Sequence, residues 1–246
     1  MEATMARARF TDRVTAKDVA KMPAEYRELL VRLLTIQADC EIGGPNVYGR
    51  QWFLDAPTAD DMYRVTQILA EEIDHFRLMN RLLQELDADQ SALLRRPNAE
   101  RYLAVFRETE APTWADVAAF CCLIDRVGRF QIEEMVGASF QPLDRVLPQI
   151  IRDELGHVGY GTARLAELAA DPRTVAQAQA AVNRWYPLAL DSFGRKDSWR
   201  SERFVEWGLK HHLNQEMRLA YIAEVAPLLE GMGLVVPDPE YGRHYA

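Results

Sequence analysis

Two of the chain's five histidines follow a glutamate by three positions, His75 in "EEIDHF" and His157 in "DELGHV". On an α-helix, positions i and i+3 share a face, so Glu72 with His75 and Glu154 with His157 each aim a carboxylate and an imidazole at one point. A single such pair is an ordinary helix surface. Two of them, on separate helices of a histidine-poor chain, constrain the fold to one that gathers helix faces around a common buried point. Burying those charges is costly unless something offsets them, and a metal ion in a helix bundle does so.

The rest of the chain reads as all-α. Apolar residues recur at helical spacing, and strand-like alternation with hairpin turns is scarce. The pattern predicts a first helix in "PAEYRELLVRLLTIQADCEI", entered through Pro23 and interrupted near Gly43 to Pro45. A second begins at "APTADDMYR", with Thr58 and Asp61 in capping positions. "APTWADVAAFCCLIDRVGRFQIEEMVGASF" carries a third, and a fourth runs through "RVLPQIIRDELGHVGYGTARLAELA" after Gln141 and Pro142. Two more are expected near 172 to 190 and 199 to 230. With 48% hydrophobic residues and no low-complexity linker, the 246 residues are read as one domain. It has an N-terminal arm over 1–20 and a C-terminal tail over 231–246, with four core helices and the others packed outside.

Charge and cysteine usage narrow the function classes. A net charge of -8, from 29 basic and 37 acidic residues, disfavours nucleic acid and anionic membrane as partners. Cys40, Cys121 and Cys122 form no disulfide framework, the start lacks the apolar run of a signal peptide, and no window is long enough to span a membrane. The expectation is a soluble cytoplasmic protein.

A dinuclear site in a four-helix bundle also needs one acid from each of the other two helices. If the turn between the third and fourth helices is centred near 140 to 141, the midpoint of Glu154 and His157 mirrors to residue 125, which is Asp125. Glu133 and Glu134 lie about 12 Å further along the axis and are read as surface or partner-facing acids. On the first helix the candidate is Glu41, with Asp39 as the fallback, because the path from 43 to 57 is not fixed by sequence. Asp153 and Glu71, each just before a ligand glutamate, are placed to accept the remaining ring N–H of the histidine on the opposite helix. This oxygen-rich set with two imidazoles suits two iron ions, or manganese, better than a thiolate zinc site.

With "MPAEYRELLVR", "CEIGG", "EEIDH", "TWADV" followed by "LID", "DELGH", "NRWYP" and "PLLEGMGLVVPDPE", the chain resembles the ferritin-like di-iron proteins of the phenylacetic acid catabolic family over roughly residues 20 to 240. The resemblance is closest to the family's catalytic subunits. It implies that Glu41, Glu72, His75, Asp125, Glu154 and His157 are metal ligands, the four carboxylates being the catalytic ones. The implied activity is dioxygen activation to epoxidise or hydroxylate an aromatic or unsaturated acyl-CoA. Arg32, Lys210 and Asn214 match polar positions of the family's coenzyme A cleft, and Arg218 is a further basic candidate for its phosphates. Ile36, Phe120, Ile124 and Phe130 are expected to keep water from the site.

The chain has no flavin or iron–sulfur motif, so electrons are expected from an external reductase. A homo-oligomer, or a hetero-oligomer with a structural subunit, is the expected assembly. The chain also departs from the family. It lacks the usual longer C-terminal extension, and Ile68 stands where a basic residue is expected, with Arg64 one turn further back. The competing readings are a metal-binding oxidase or storage protein and a non-catalytic scaffold subunit. The complete ligand set speaks against the scaffold, and "MGLVVPDPE" against storage.

Overall fold

The computed structural model describes residues 9–107 and 110–245. Among these residues there is no strand, and one isolated bridge pairs Val14 with Phe140. The α-helices are α1 (Ala24–Asp55), α2 (Ala59–Glu85), α3 (Trp114–Glu133), α4 (Leu147–Ala170), α5 (Val175–Asp191), α6 (Trp199–Glu206) and α7 (Asn214–Gly231). The result is an all-α bundle of the ferritin-like kind, with α1 to α4 at its centre.

Only three residues separate α1 from α2, so the two must run antiparallel. The turn is sealed at Thr58, whose hydroxyl accepts from the Asp61 amide at 3.1 Å and donates to its carboxylate at 2.6 Å. α3 opens on a similar box, Thr113 with Asp116. There Asp116 also accepts from the Trp185 indole at 3.0 Å and from Arg184, which fastens α3 to α5. α3 is buried on all sides from Ala115 to Val127, as a helix apolar all round must be.

The register of α3 on α4 follows from small residues. A Cβ on Gly161 would come within 2.5 Å of Cys121 Cβ, and one on Gly128 would lie 3.5 Å from Glu154. Residues equidistant from 141 are therefore level, as expected. Two apolar clusters fill the bundle. One holds Tyr48, Trp52, Val65, Phe120, Ile124 and Trp185; the other holds Leu30, Leu34, Phe76, Met79, Ile132 and Ile150. The layer carrying Glu41, Glu72, Asp125 and Glu154 lies near the boundary where the two clusters meet.

Two expectations about elements are corrected. α1 does not break at Gly43 to Pro45 but runs on to Asp55. Pro45 forfeits an amide and crowds the carbonyl of residue 41, a cost of about 3 kcal/mol in a helix interior. Burial on both sides, from Leu33 to Trp52, offsets it. Gly43 is a packing residue, since a Cβ there would meet the Phe106 ring at 2.8 Å. The expected helix over 199 to 230 is two helices, parted at a turn where Gly208 has φ +66° and abuts the Phe10 carbonyl.

After α7 the described tail residues return to the end of α5. Asp191 at the end of α5 accepts from Arg243 Nε at 3.1 Å and from the His244 and Tyr245 amides at 2.6 and 3.2 Å. Residues 1–8 of the expected N-terminal arm lie outside the described residues, while Phe10 and Val14 bond to the carbonyls of Glu206 and Ser139. No helix among the described residues is long and apolar enough to cross a membrane.

Candidate metal centre

The four central helices bring Glu41 (α1), Glu72 and His75 (α2), Asp125 (α3), and Glu154 and His157 (α4) to one buried layer. Their ligand atoms form two groups. Glu41, Glu72, His75 and Glu154 converge within 4.8 Å of one another, and so do Glu72, Asp125 and His157. His75 Nδ1 lies 3.2 Å from Glu41 Oε2 and 3.6 Å from Glu154 Oε1. His157 Nδ1 lies 3.1 Å from Glu72 Oε1 and 3.9 Å from Glu154 Oε2, and the ring centroids are 6.0 Å apart. Glu154 thus faces both imidazoles.

The outward nitrogen of each ring is held by the acid that the sequence singled out. His75 Nε2 lies 3.2 Å from Asp153 Oδ2, and His157 Nε2 lies 2.8 Å from Glu71 Oε2. Each contact fixes its ring so that Nδ1 turns inward. Arg64 reaches Glu71 at 3.4 Å, so the basic residue missing at Ile68 is in part made good one turn earlier. Gln37, one turn before Glu41, donates to Glu41 Oε1 at 2.6 Å. Gln37 is not among the residues expected from sequence, although its i, i+4 spacing to Glu41 is the signal that marks it.

The electrostatics call for a cation. Burial and the neighbouring Glu154 push Asp125 up to about 7. The same two causes hold Glu72 well above the usual carboxylate range, and burial raises Glu154. At Glu41 burial works in the same direction, but the His75 hydrogen bond and charge prevail and its pKa is lowered. Burial opposes charge on the imidazoles. Glu154 and Glu41 outweigh it at His75, up to about 12, as Glu71 and Glu72 do at His157, up to about 11.

Three polar atoms test the fit directly. Asp125 Oδ2, Glu154 Oε2 and His157 Nδ1 are buried and make no hydrogen bond with a described residue. Orphaned atoms are rare in a folded interior, and these three belong to one cluster. Carboxylate oxygens with imidazole nitrogens are the donor set of a hard to borderline divalent ion, so the residues fit a metal site.

A cavity of about 280 Å³ opens onto this layer. Glu41, Glu72, Asp125 and Glu154 line it, with Ile36, Phe120 and Ile124 among its apolar walls. Phe130 is not on the wall. It packs against Phe193 and Tyr221, with centroids 6.2 and 5.8 Å away. Arg32, Lys210 and Asn214 line the cavity, and so do Arg195 and Arg200, which the sequence reading did not select. Arg195 lies in the loop between α5 and α6 and Arg200 in the first turn of α6, where no long periodicity signals direction.

The remaining acids and bases lie elsewhere. Arg218 is 2% exposed and is spent on the Leu190 carbonyl at 3.1 Å, the Gly194 carbonyl and Gln215. Its guanidinium is therefore not offered to a phosphate. Asp39, the fallback for Glu41, is paired with Arg101 at 2.7 Å and accepts the Tyr102 amide at 2.8 Å. Glu133 is exposed as expected. Glu134 is not a surface acid: it is buried and accepts the His211 and His212 amides at 2.9 and 2.8 Å, closing the loop that carries Lys210.

The sequence profile of the family described as phenylacetic acid catabolic protein matches residues 2–245. The chain is 26% identical over 224 residues to one of the subunits of the 1,2-phenylacetyl-CoA epoxidase of Escherichia coli (strain K12), covering 89% of this chain and 72% of that one. It is also 26% identical over 225 residues to benzoyl-CoA oxygenase component B of Aromatoleum evansii, covering 80% of this chain and 47% of that one. The match therefore spans about half the length of the second relative.

Proposed function

The chain belongs to the phenylacetic acid catabolic protein family, and on that premise we propose that it is the metal-bearing subunit of a di-iron monooxygenase acting on an aromatic or unsaturated acyl-CoA. One observation carries the reading. Four carboxylates from four helices line a cavity with apolar walls and several cationic side chains, and two imidazoles meet those carboxylates from behind. Two iron ions held by these six residues would supply reductive activation of dioxygen: with two electrons and two protons from outside, one oxygen atom would enter the acyl group and the other would leave as water.

The chain's own residues set the conditions for that chemistry. Asp153 and Glu71 orient the two imidazoles, and Gln37 holds one oxygen of Glu41 so that the other faces the layer. Ile36, Phe120 and Ile124 exclude water around the reacting carbons. Arg32, Arg195, Arg200 and Lys210 meet the anionic coenzyme, with Asn214 bonded to the Arg195 carbonyl at 3.0 Å. The relatives are named as parts of an epoxidase and of an oxygenase, which supports a multi-component system with a reductase and a partner subunit. A storage protein has no use for an apolar cavity with several cationic side chains.

The test is anaerobic reconstitution with ferrous iron, followed by absorption spectra as oxygen is admitted and mass spectrometry of acyl-CoA products with an added reductase. About two irons per chain and a product heavier by one oxygen atom are expected. A chain that stays metal-free refutes the di-iron site; a metal-loaded chain that leaves every aryl acyl-CoA unchanged refutes the oxygenase.

A further inference from the structure

At five glycines a side chain would begin in open space. A Cβ added to Gly44, Gly137, Gly159, Gly231 or Gly233 meets no heavy atom of a described residue within 4 Å. Four of the five are exposed, and there the space is solvent. Gly44 is buried within α1. Protein interiors are close-packed, so a buried position with nothing beside it borders a void. Its neighbour shows the ordinary case, since a Cβ on Gly43 would run into the Phe106 ring at 2.8 Å.

The void beside Gly44 is the cavity at the carboxylate layer. Gly44 lines that cavity, and it continues the face that α1 turns toward it, Leu33, Gln37, Glu41 and Gly44 following one another at three- or four-residue steps. At the helical rise, Gly44 lies roughly 4.5 Å beyond Glu41, while Arg32 lies roughly 13 Å away in the opposite direction. Beyond the carboxylates the cavity is therefore apolar: Phe106 and Phe120 line it there, and Phe120 packs on Trp52 with ring centroids 4.8 Å apart. Alanine at position 44 would meet nothing and would favour the helix, so glycine is the weaker choice for α1 itself. What glycine preserves is the space.

We propose that Gly44 is a specificity-determining residue, whose missing side chain makes room beside the carboxylates for the ring of an aryl acyl thioester. The inference rests on the acyl-CoA reading above and narrows it from aromatic or unsaturated acyl groups to aromatic ones. With the coenzyme at Arg32 and its cationic neighbours, the acyl group reaches the carboxylates from that side. The near edge of its ring then lies at the carboxylate layer, and the far edge lies beside Gly44, less than one helical turn further on. A side chain at position 44 would grow into the space of the ring and leave the coenzyme end untouched. It would reject the bulky acyl group and still admit a slender one.

The test is calorimetric titration of the iron-reconstituted protein, kept anaerobic and compared at matched metal content, with phenylacetyl-CoA and with crotonyl-CoA. The wild type is expected to bind both. Gly44→Leu is expected to bind phenylacetyl-CoA at least about tenfold more weakly and crotonyl-CoA within about twofold of the wild type. Unchanged binding of phenylacetyl-CoA by Gly44→Leu overturns this inference alone, and so does an equal loss for both thioesters. Failure of the wild type to bind either compound overturns the acyl-CoA reading together with it. Gly44→Ala is expected to melt no lower than the wild type, and a clear loss of stability would show that the space is already filled and overturn the inference. Should Gly44→Leu fail to fold, the ratio of the two affinities is read in Gly44→Val, where an unchanged ratio likewise overturns it.

Discussion

Asp125 and Glu133 sit eight residues apart on α3, and only the first lies level with His157. The acid at the right height is buried with an oxygen that meets no hydrogen-bond donor among the described residues, while the other is exposed. On the di-iron reading proposed above, Asp125→Ala is therefore expected to lose at least one of two irons, and Glu133→Ala to retain both, as elemental analysis of the reconstituted proteins would show. Equal loss from both variants would contradict the placement of the site. Lys210 makes a second case at this scale. Burial brings its amine down to about 8, although it hydrogen-bonds to Gln131 at 2.5 Å. A lysine whose folded value is depressed binds fewer protons folded than unfolded between about 8 and 10.5, so stability rises with pH across that window. Lys210→Met is expected to flatten that rise and to add about 1–3 kcal/mol near neutral pH, measured by urea unfolding.

The helices show which parts of the structure are written locally. The level of Asp125 was legible because α3 and α4 are joined by a turn centred near 141, and helical rise does the rest. Glu41 was harder to place, because Gly43, Gly44 and Pro45 are breakers by propensity. Nothing in the sequence says that the Phe106 ring covers Gly43 and so favours a continuous helix. Glu134 was misread for a related reason, since its partners are backbone amides 77 and 78 residues away. The turn at Gly208 depends on the N-terminal arm and was equally invisible. Two glycines of α4 make the point testable. Gly161→Ala must push α4 away from α3 at Cys121 and Cys122 and is expected to cost about 1–3 kcal/mol and to weaken metal retention. Gly159→Ala meets nothing within 4 Å and is expected to be neutral or to stabilise by up to about 1 kcal/mol, through helix propensity alone. Denaturant midpoints and metal content of the two variants would separate packing from propensity.

At the scale of the whole molecule, the carboxylate layer is a charge problem shared by four helices, and pH decides how it is solved. Asp125 is raised from an ordinary 3.8 to about 7 by burial and by Glu154. Between those values the folded protein holds a proton that the unfolded chain has released. In the metal-free protein, the stability this proton contributes is present below pH 3.8 and is lost as pH rises through about 7. On the metal-site reading proposed above, metal binding reverses the sign. Its ligands must give up protons, and Asp125, Glu72, Glu154 and both imidazoles have pKa values shifted upward, so each proton displaced makes binding stronger at higher pH. Bound metal then ties all four helices together and stabilises the fold by mass action, about 2.7 kcal/mol at a free concentration 100 times the dissociation constant. The expected outcome is that the gap in melting temperature between metal-loaded and metal-free protein widens steadily from about pH 5.5 to about pH 8, with protons released on titration. A gap independent of pH would mean that the metal does not displace protons from these buried groups, and that the ligands lie elsewhere in the bundle.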